Sequence, residues 1–430
     1  MHIPLLAAAV LAAQQSPAPA PEETIVITAS REPVEREQSS VSATVFDRET
    51  VEALGLPLTS DVLRLAPGVS VASSGPRGTL TQIRIRGAEA NHSLLFVDGI
   101  EFNDPAASNA ARFELLTSDS VSRIEIVRGP QSALWGSEAL GGVVALETGD
   151  GLKGRRLAAL AEYGSLDSSR TSIQAAQRFG NFGISGGAGL VGSDGVDSFG
   201  HGSERDGFNT RSANVKAVFA PLPHAELGVV GHWIGGESQF DGQDLFGRRI
   251  NSLDSTRNEI FAARSWAKAD LNDWSFLGDV SILDSSNRNS LGDEPLNSTF
   301  GQRLAAGGQV SRKLGRHRLT GAAEYEREDF RTEGQAVFGA PDQDRSRSLT
   351  AFVGEWRAEW AHSLVTDVAL RHDDFSGFEG ATTVRASVLL GLAAGWTLSA
   401  AYGEGIAQPE FYDLYGFYPD SFVGNPDLKP

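Results

Sequence analysis

From residue 155 onward the sequence alternates apolar and polar positions with a period of two. This pattern constrains the fold more than any other feature of the chain. Phe352, Gly354, Trp356, Ala358 and Trp360 fall on one face, and Glu355, Arg357 and Glu359 on the other. Val384, Ala386, Val388 and Leu390 likewise oppose Arg385 and Ser387, and Trp396, Leu398, Ala400 and Tyr402 oppose Thr397, Ser399 and Gly403. Tight turns are expected at Gly180-Asn181, 221–223, Asn272-Asp273, 314–316, Ala361-His362 and 392–395. Longer acidic or glycine-rich links are expected over 192–210, 235–256, 286–302 and 331–346. Short turns at one end and long loops at the other are the signature of a transmembrane barrel. Phe179, Phe182, Phe219, Trp274, Trp360 and Trp396 all sit beside the tight turns, as one interfacial girdle requires. A soluble sandwich accounts for the alternation but not for that clustering.

Composition removes several alternatives. The chain has no cysteine, which excludes disulfides, thiolate metal sites and cysteine nucleophiles. A net charge of −18 opposes nucleic acid as a partner. No apolar run is long enough for a helical span, which leaves β spans open. The eight histidines show no zinc spacing. Ser137, His92 and Asp98 make a triad only by arbitrary selection. The GAGLVG run at 187–192 is a literal GxGxxG, but no helix follows it, so tight strand packing explains it better than a dinucleotide site. No catalytic residue is assigned, and the chain is not read as an enzyme.

Residues 1–13, MHIPLLAAAVLAA, read as a secretory signal peptide cleaved near Ala12 or Ala13, followed by a proline-rich, extended QQSPAPAPEE. Glu23, Thr24, Ile25, Val26, Ile27, Thr28 and Ala29 form a β-prone heptad. It serves equally well as the first strand of the next domain or as a strand added to another protein's sheet. Residues 38–148 read as a small α+β unit. A short helix is expected from Thr59, capped by Thr59, Ser60 or Asp61, with strands over 82–86, 94–97 and 123–128 and a buried strand over 141–147. Within it, QIRIRGAEANHSLLFVDG at 82–99 reads as two strands joined by a polar turn. Arg84 and Arg86 alternate there with Ile83 and Ile85. Buried arginines need partners, and a polar barrel lumen supplies them.

ETIVITA resembles a TonB box. LRLAPGV, IRIRGAEANHSLLFVDGIEFND and SRIEIVRGPQSALWGSEALGGVV together resemble the plug domain of a TonB-dependent outer-membrane receptor, nearest the cobalamin-receptor branch. The resemblance implies an all-β fold: a transmembrane antiparallel β-barrel with an N-terminal α+β plug inside its lumen, in the bacterial outer membrane and in contact with its lipid. Such plugged barrels close at about 22 strands, and about 13 are countable here. NPDLKP at the end resembles a motif from inside the barrel. The expected organisation is therefore a signal peptide at 1–13, a periplasmic tail at 14–37 with the TonB box at 23–29, a plug at 38–148 and a C-terminally truncated barrel at 149–430.

The implied activity is TonB-driven import of a scarce nutrient, cobalamin first and a ferric siderophore or other metal chelate second. The partners are TonB with its inner-membrane energising complex. A passive porin or adhesin is the alternative of another class, and a sigma-regulating receptor would need a further periplasmic domain before the box. By analogy the cargo contacts are Arg77, Thr79, Asn91, His92, Asn103 and Asp104, while Arg84, Arg86 and Arg128 pair plug with barrel or with the plug itself. Acidic residues in the long links, Asp194, Asp197, Glu204 and Asp206 in one and Asp241, Asp244 and Asp254 in the next, offer hard oxygen ligands. Of these, Glu204, Asp206, Asp241 and Asp254 are the candidate Ca²⁺ ligands. Solvated acidic loops are the alternative.

Overall fold

The computed structural model describes residues 25–26, 28–200, 204–242, 247–334, 343–361, 364–392, 396–418 and 422–430. The expected signal peptide, Glu23, Thr24, Ile27, Asp244, His362 and the turn at 393–395 lie outside them.

Thirteen antiparallel strands, from Arg156–Tyr163 to Thr397–Gly403, follow one another in sequence order in a single sheet. Their polarity is the reverse of a soluble protein's. Leu227, Val229, Phe261, Val280, Leu304, Leu319, Phe352 and Leu370 are exposed on the outer face, while Arg170, Lys216, Arg303, Glu328, Arg371 and Arg385 are buried on the inner one. A lipid-facing wall around a wet lumen accounts for that reversal. The girdle residues Phe179, Phe182, Phe219, Trp274, Trp360 and Trp396 are all exposed, beside the short turns. Phe182 lies directly across the ladder from both Phe179 and Phe219. Ala358 departs from the alternation and is buried. It faces His317 across the ladder, and the His317 ring stacks on Trp356.

The expected long link at 286–302 is instead a hairpin. Its strands, Trp274–Leu291 and Glu294–Leu314, meet at a two-residue turn with Gly292 at φ 57°. Its polar residues bond across the ladder and so suit a strand. Asn287 donates to Thr256 Oγ1 and Asn258 Oδ1, both at 2.7 Å, and Asn289 donates to Asn297 Oδ1 at 2.7 Å.

Inside this wall sits a five-stranded sheet in the order Ser42–Asp47, Val121–Arg128, Gly142–Thr148, Ser93–Val97, Ile100–Glu101. Gly142–Thr148 runs parallel to Ser93–Val97 and is buried along nearly its whole length, which explains its uninterrupted apolar GVVAL. Asp47 caps the helix Arg48–Leu54 by accepting from Thr50 N at 2.9 Å, and Gly55 ends it in the left-handed region at φ 62°. The helix predicted from Thr59 spans Thr59–Leu63, but its cap residue is Leu58 and no side chain caps it.

The two strands expected within 82–99 are present, but they do not pair with each other. Thr81–Ile85 forms a hairpin with Val69–Ser73, while Ser93–Val97 enters the five-stranded sheet. The alternation sends Ile83 and Ile85 into the core, so Arg84 and Arg86 are exposed. Among the described residues Arg84 donates to Gln82 Oε1, at 3.1 Å, and not to a barrel carboxylate. Arg128 bonds within the plug, to Ser42 Oγ at 2.9 Å and Thr44 Oγ1 at 2.7 Å.

Candidate functional site

The plug presents three loops on the long-loop side of the barrel. Of the six residues assigned to cargo, the structure separates two kinds. Asn103 is fully buried: its Oδ1 accepts from Leu95 N at 2.8 Å, and its Nδ2 donates to Ser93 O at 3.1 Å and Asn109 O at 2.8 Å. Asp104, also fully buried, accepts from Ala106 N at 2.8 Å, Arg112 Nε at 2.6 Å and Ser285 Oγ at 2.5 Å. Both are saturated, so they hold the plug together and to the wall and have nothing left to offer a solute. Thr79 is buried too, with its hydroxyl given to Pro76 O at 2.7 Å.

Arg77 is exposed, 3.4 Å from Asp61, and His92 is half-buried at the adjacent tip. Asn91 donates to Glu410 Oε1. Burial pushes the Glu410 carboxyl up to about 7, against hydrogen bonds from Ser108 and Asn91. Glu410 is missed by sequence reasoning: it lies 319 residues from Asn91, in an extended segment without a motif. That segment straps the plug. Ile406 N donates to Ser132 Oγ at 3.2 Å, Gln408 N to Ser137 Oγ at 2.8 Å, and Phe411 stacks on Phe330 with centroids 5.1 Å apart.

At the links after the strands Phe182–Val196 and Ala225–Phe240, Glu204, Asp206 and Asp241 bring carboxylate oxygens within 4.8 Å of one another. Asp206 accepts from Ser198 N at 2.9 Å and Asp241 from Ser198 Oγ at 2.7 Å, while the buried Glu204 Oε1 atom has no partner among the described residues. Asp254 is not in this group. It lies across the ladder from Phe240 and accepts from Gly292 N at 3.1 Å in the next hairpin. Asp194 lies 3.9 Å from Arg205, and Asp197 caps its own turn through Gly200 N.

Below the apex, the plug is tied to the wall by charge. At the Asp98-Gly99 turn, Asp98 accepts from Thr148 N at 3.0 Å, Thr148 Oγ1 at 2.6 Å, His232 Nε2 at 3.1 Å and Lys216 Nζ, while Arg264 donates to its carbonyl at 3.1 Å. Burial opposes its charge, yet the bonds from His232 and Lys216 hold the carboxyl well below the usual carboxylate range. At the opposite corner, the barrel's Arg303 pairs with Glu101 at 3.0 Å, Glu326 at 3.5 Å and Glu328 at 2.5 Å. Burial pushes Glu101 well up and Glu138 up to about 8. The whole GxGxxG run lies in the strand Phe182–Val196, where a Cβ on Gly187 would stand 3.4 Å from Ser120 and one on Gly189 3.3 Å from Asp119, both plug residues.

The N-terminal segment is docked where a free tail was expected. Val26 and Ala29 pack with Val34 and Val127. Thr28 N donates to Glu125 Oε1 at 2.8 Å, Trp135 Nε1 to Thr28 O at 2.8 Å, and Arg31 pairs with Glu324 of the wall at 2.6 Å.

The chain matches the family model of the TonB-dependent receptor plug domain over residues 35–143 and that of the TonB-dependent receptor-like β-barrel over 158–430. It is 26% identical over 421 residues to the vitamin B12 transporter BtuB of Vibrio vulnificus, covering 95% of this chain and 65% of that protein. Against the BtuB of Photobacterium profundum the identity is 26% over 424 residues, with the same coverage. The chain thus spans 65% of the length of these relatives. Among solved structures, it resembles the ferric enterobactin receptor PfeA of Pseudomonas aeruginosa with a TM-score of 0.73 at 16% identity, over 90% of this chain and 68% of that one. The siderophore receptor PirA of Acinetobacter baumannii gives 0.73 at 16%, over 92% and 67%.

Proposed function

The chain belongs to the family of TonB-dependent outer-membrane receptors, and on that premise we propose that it is the plug and wall of an energised importer for cobalamin. The observation that carries the import reading is a polar-lined barrel wall whose lumen holds a plug with its own sheet, tied to the wall mainly through side chains. A passive porin has no need of such a stopper. The cobalamin reading is supported by the two transporter relatives and by an apex of half-buried Asn91, His92 and Ser108 over the buried Glu410, which offers donors and acceptors to an amide-rich solute. A ferric siderophore is the second reading, supported by the likeness to receptors of that class.

The three clustered carboxylates and the orphaned Glu204 Oε1 fit a hard divalent cation such as Ca²⁺. Glu204, Asp206 and Asp241 would hold it, joining the link at 197–205 to the link at 241–253. In this reading TonB takes hold of residues 23–29, and no covalent step is needed. Deleting 23–29 from the full-length receptor should abolish cyanocobalamin uptake by whole cells while leaving binding to isolated membranes intact. Unchanged uptake would refute the coupling.

A further inference from the structure

One inward-facing row of the wall runs across six strands beside the plug: His232, Ala262, Leu283, Arg303, Glu328 and Arg347, each across the ladder from the next. Its first half is sealed to the plug mainly by apolar packing, since Ala262 and Leu283 share one buried cluster with Ile100, Phe102 and Ile124 of the plug, with the saturated Asp98–His232 contact beside them. The second half is sealed by charge. Arg303 holds Glu101 and donates to Asn103 O, and Arg347 holds the second oxygen of Glu328 at 2.5 Å and donates to Pro409 O of the strap at 2.7 Å. Glu138, hydrogen-bonded by Ser137 Oγ at 2.8 Å and Asn109 Nδ2 at 3.3 Å, completes that corner.

Immediately beneath this row the wall turns away from the plug. A chamber of 2150 Å³ lies there, walled by Arg264, Ser281, Ala305 and Glu326, roofed by Glu101 and Glu138, and reaching Arg156 and Arg178 at the tight-turn end. It is about twice the upper size of an ordinary small-molecule pocket. Opening the apolar half of the seal would expose core surface at about 25 cal/mol per Å². Opening the charged half returns ions to water, and the hydration they regain offsets most of the lost attraction. The plug therefore has a fixed side and a side that can part.

We propose that this chamber is the transit route by which a large polar solute passes the docked plug, and that the Arg303–Glu101–Glu328–Arg347 network is the septum closing its outer end at rest. The inference rests on the import reading and deepens it: the plug hinges on its apolar side and need not leave the lumen.

None of these 430 residues is cysteine, so an introduced thiol is unique among them, and the unsubstituted full-length receptor gives the labelling background. Ala305 lines the chamber, while its neighbour Leu304 is exposed on the outer face. In the full-length receptor, Ala305→Cys should resist a membrane-impermeant maleimide added outside intact cells and react once the reagent reaches the periplasm. Combining it with Arg303→Ala, or with Glu101→Ala should the first fail to fold, should speed labelling from outside at least ten-fold. Equal external labelling with and without these changes would overturn the septum. A bulky maleimide on Ala305→Cys should then cut cyanocobalamin uptake at least ten-fold with binding unchanged, and the same label on Leu304→Cys should not; unimpaired uptake in the labelled Ala305→Cys protein would overturn the route. Run in cells that lack TonB and without added cargo, the labelling arm depends on neither. Failure of the unmodified receptor to bind cyanocobalamin would therefore strike the cargo reading alone and leave the septum decided by labelling.

Discussion

Asp98 and Glu101 stand three residues apart in the plug and dock against the same wall, yet they are built with opposite charge balance. Asp98 is one carboxylate among Lys216, His232 and the guanidinium of Arg264. Glu101 is one of four carboxylates, with Glu138, Glu326 and Glu328, that share Arg303 and Arg347. The first arrangement satisfies every lone pair of a fully ionised group, so separating it is expensive. The second crowds four carboxyl groups around two guanidinium groups, so burial and mutual repulsion hold Glu101 and Glu138 towards their neutral forms and only part of the set is available for ion pairing. A plug that must stay in place and yet let a solute past needs both kinds of contact, and they stand on either side of one short turn.

The comparison breaks most visibly at Asp98. Asp98→Ala strands Lys216 in a buried setting and orphans Thr148 N, and removing one partner of a buried pair costs about 3–5 kcal/mol. The plug of the full-length receptor should therefore release at a much lower urea concentration, measured by protease access to residues 142–148. A midpoint within error of the unaltered receptor would mean that Asp98 is not an anchor.

The two corners also differ in sign with pH. The folded-state value of Asp98 is depressed, so its contribution is present above the ordinary value near 3.8 and is lost only as pH falls through the depressed one. Glu138 is raised from an ordinary value near 4.5 to about 8, so its docked state is favoured at low pH, and that stability is lost as pH rises through about 8. Between pH 5 and 9 the Asp98 turn should hold while the Glu138 corner loosens by several kcal/mol, roughly 4 at most. Hydrogen exchange, corrected for its intrinsic pH dependence, should show protection falling at 101–109 and not at 96–99. Glu138→Gln should flatten that response. Loosening of both segments together would remove the distinction.

How much of this was legible beforehand follows from the range of each interaction. The alternation that turns Trp356 outward and Glu355 inward is local, and so are the girdle aromatics beside their turns, so fold class and wall polarity could be read directly. The runs around Leu94–Val97 and Gly142–Leu146 were visible as strands, but nothing local showed that they pair in parallel with each other and not with nearer segments. Arg84 and Arg86 were misplaced because alternation says that they oppose Ile83 and Ile85 without saying which face is the core. Asn103 and Asp104 look like loop-tip polar residues in the sequence. Their partners Arg112, Asn109 and Ser285 make them structural, and Ser285 lies 181 residues away. Arg303 and Glu410 carried no signal at all, since each is defined by what the folded wall brings opposite it.

The smallest effect is expected at the apex, where Asn91 meets Glu410 and plug meets strap. Only one hydrogen bond is removed by Asn91→Ala, at a half-buried position, so stability should fall by about 0.5–1.5 kcal/mol, well below the Asp98 effect. Cargo binding should respond more strongly. Without the Asn91 bond that lowers it, the Glu410 carboxyl shifts further up from about 7 and is mostly neutral at neutral pH. The apex then loses both an amide and an acceptor charge. Cyanocobalamin affinity of the full-length receptor at pH 7 should drop roughly ten-fold, about 1.4 kcal/mol, with plug release nearly unmoved. Unchanged affinity together with early plug release would make Asn91–Glu410 a third clamp of the Asp98 kind, leaving cargo recognition to Arg77 and His92 at the neighbouring tips.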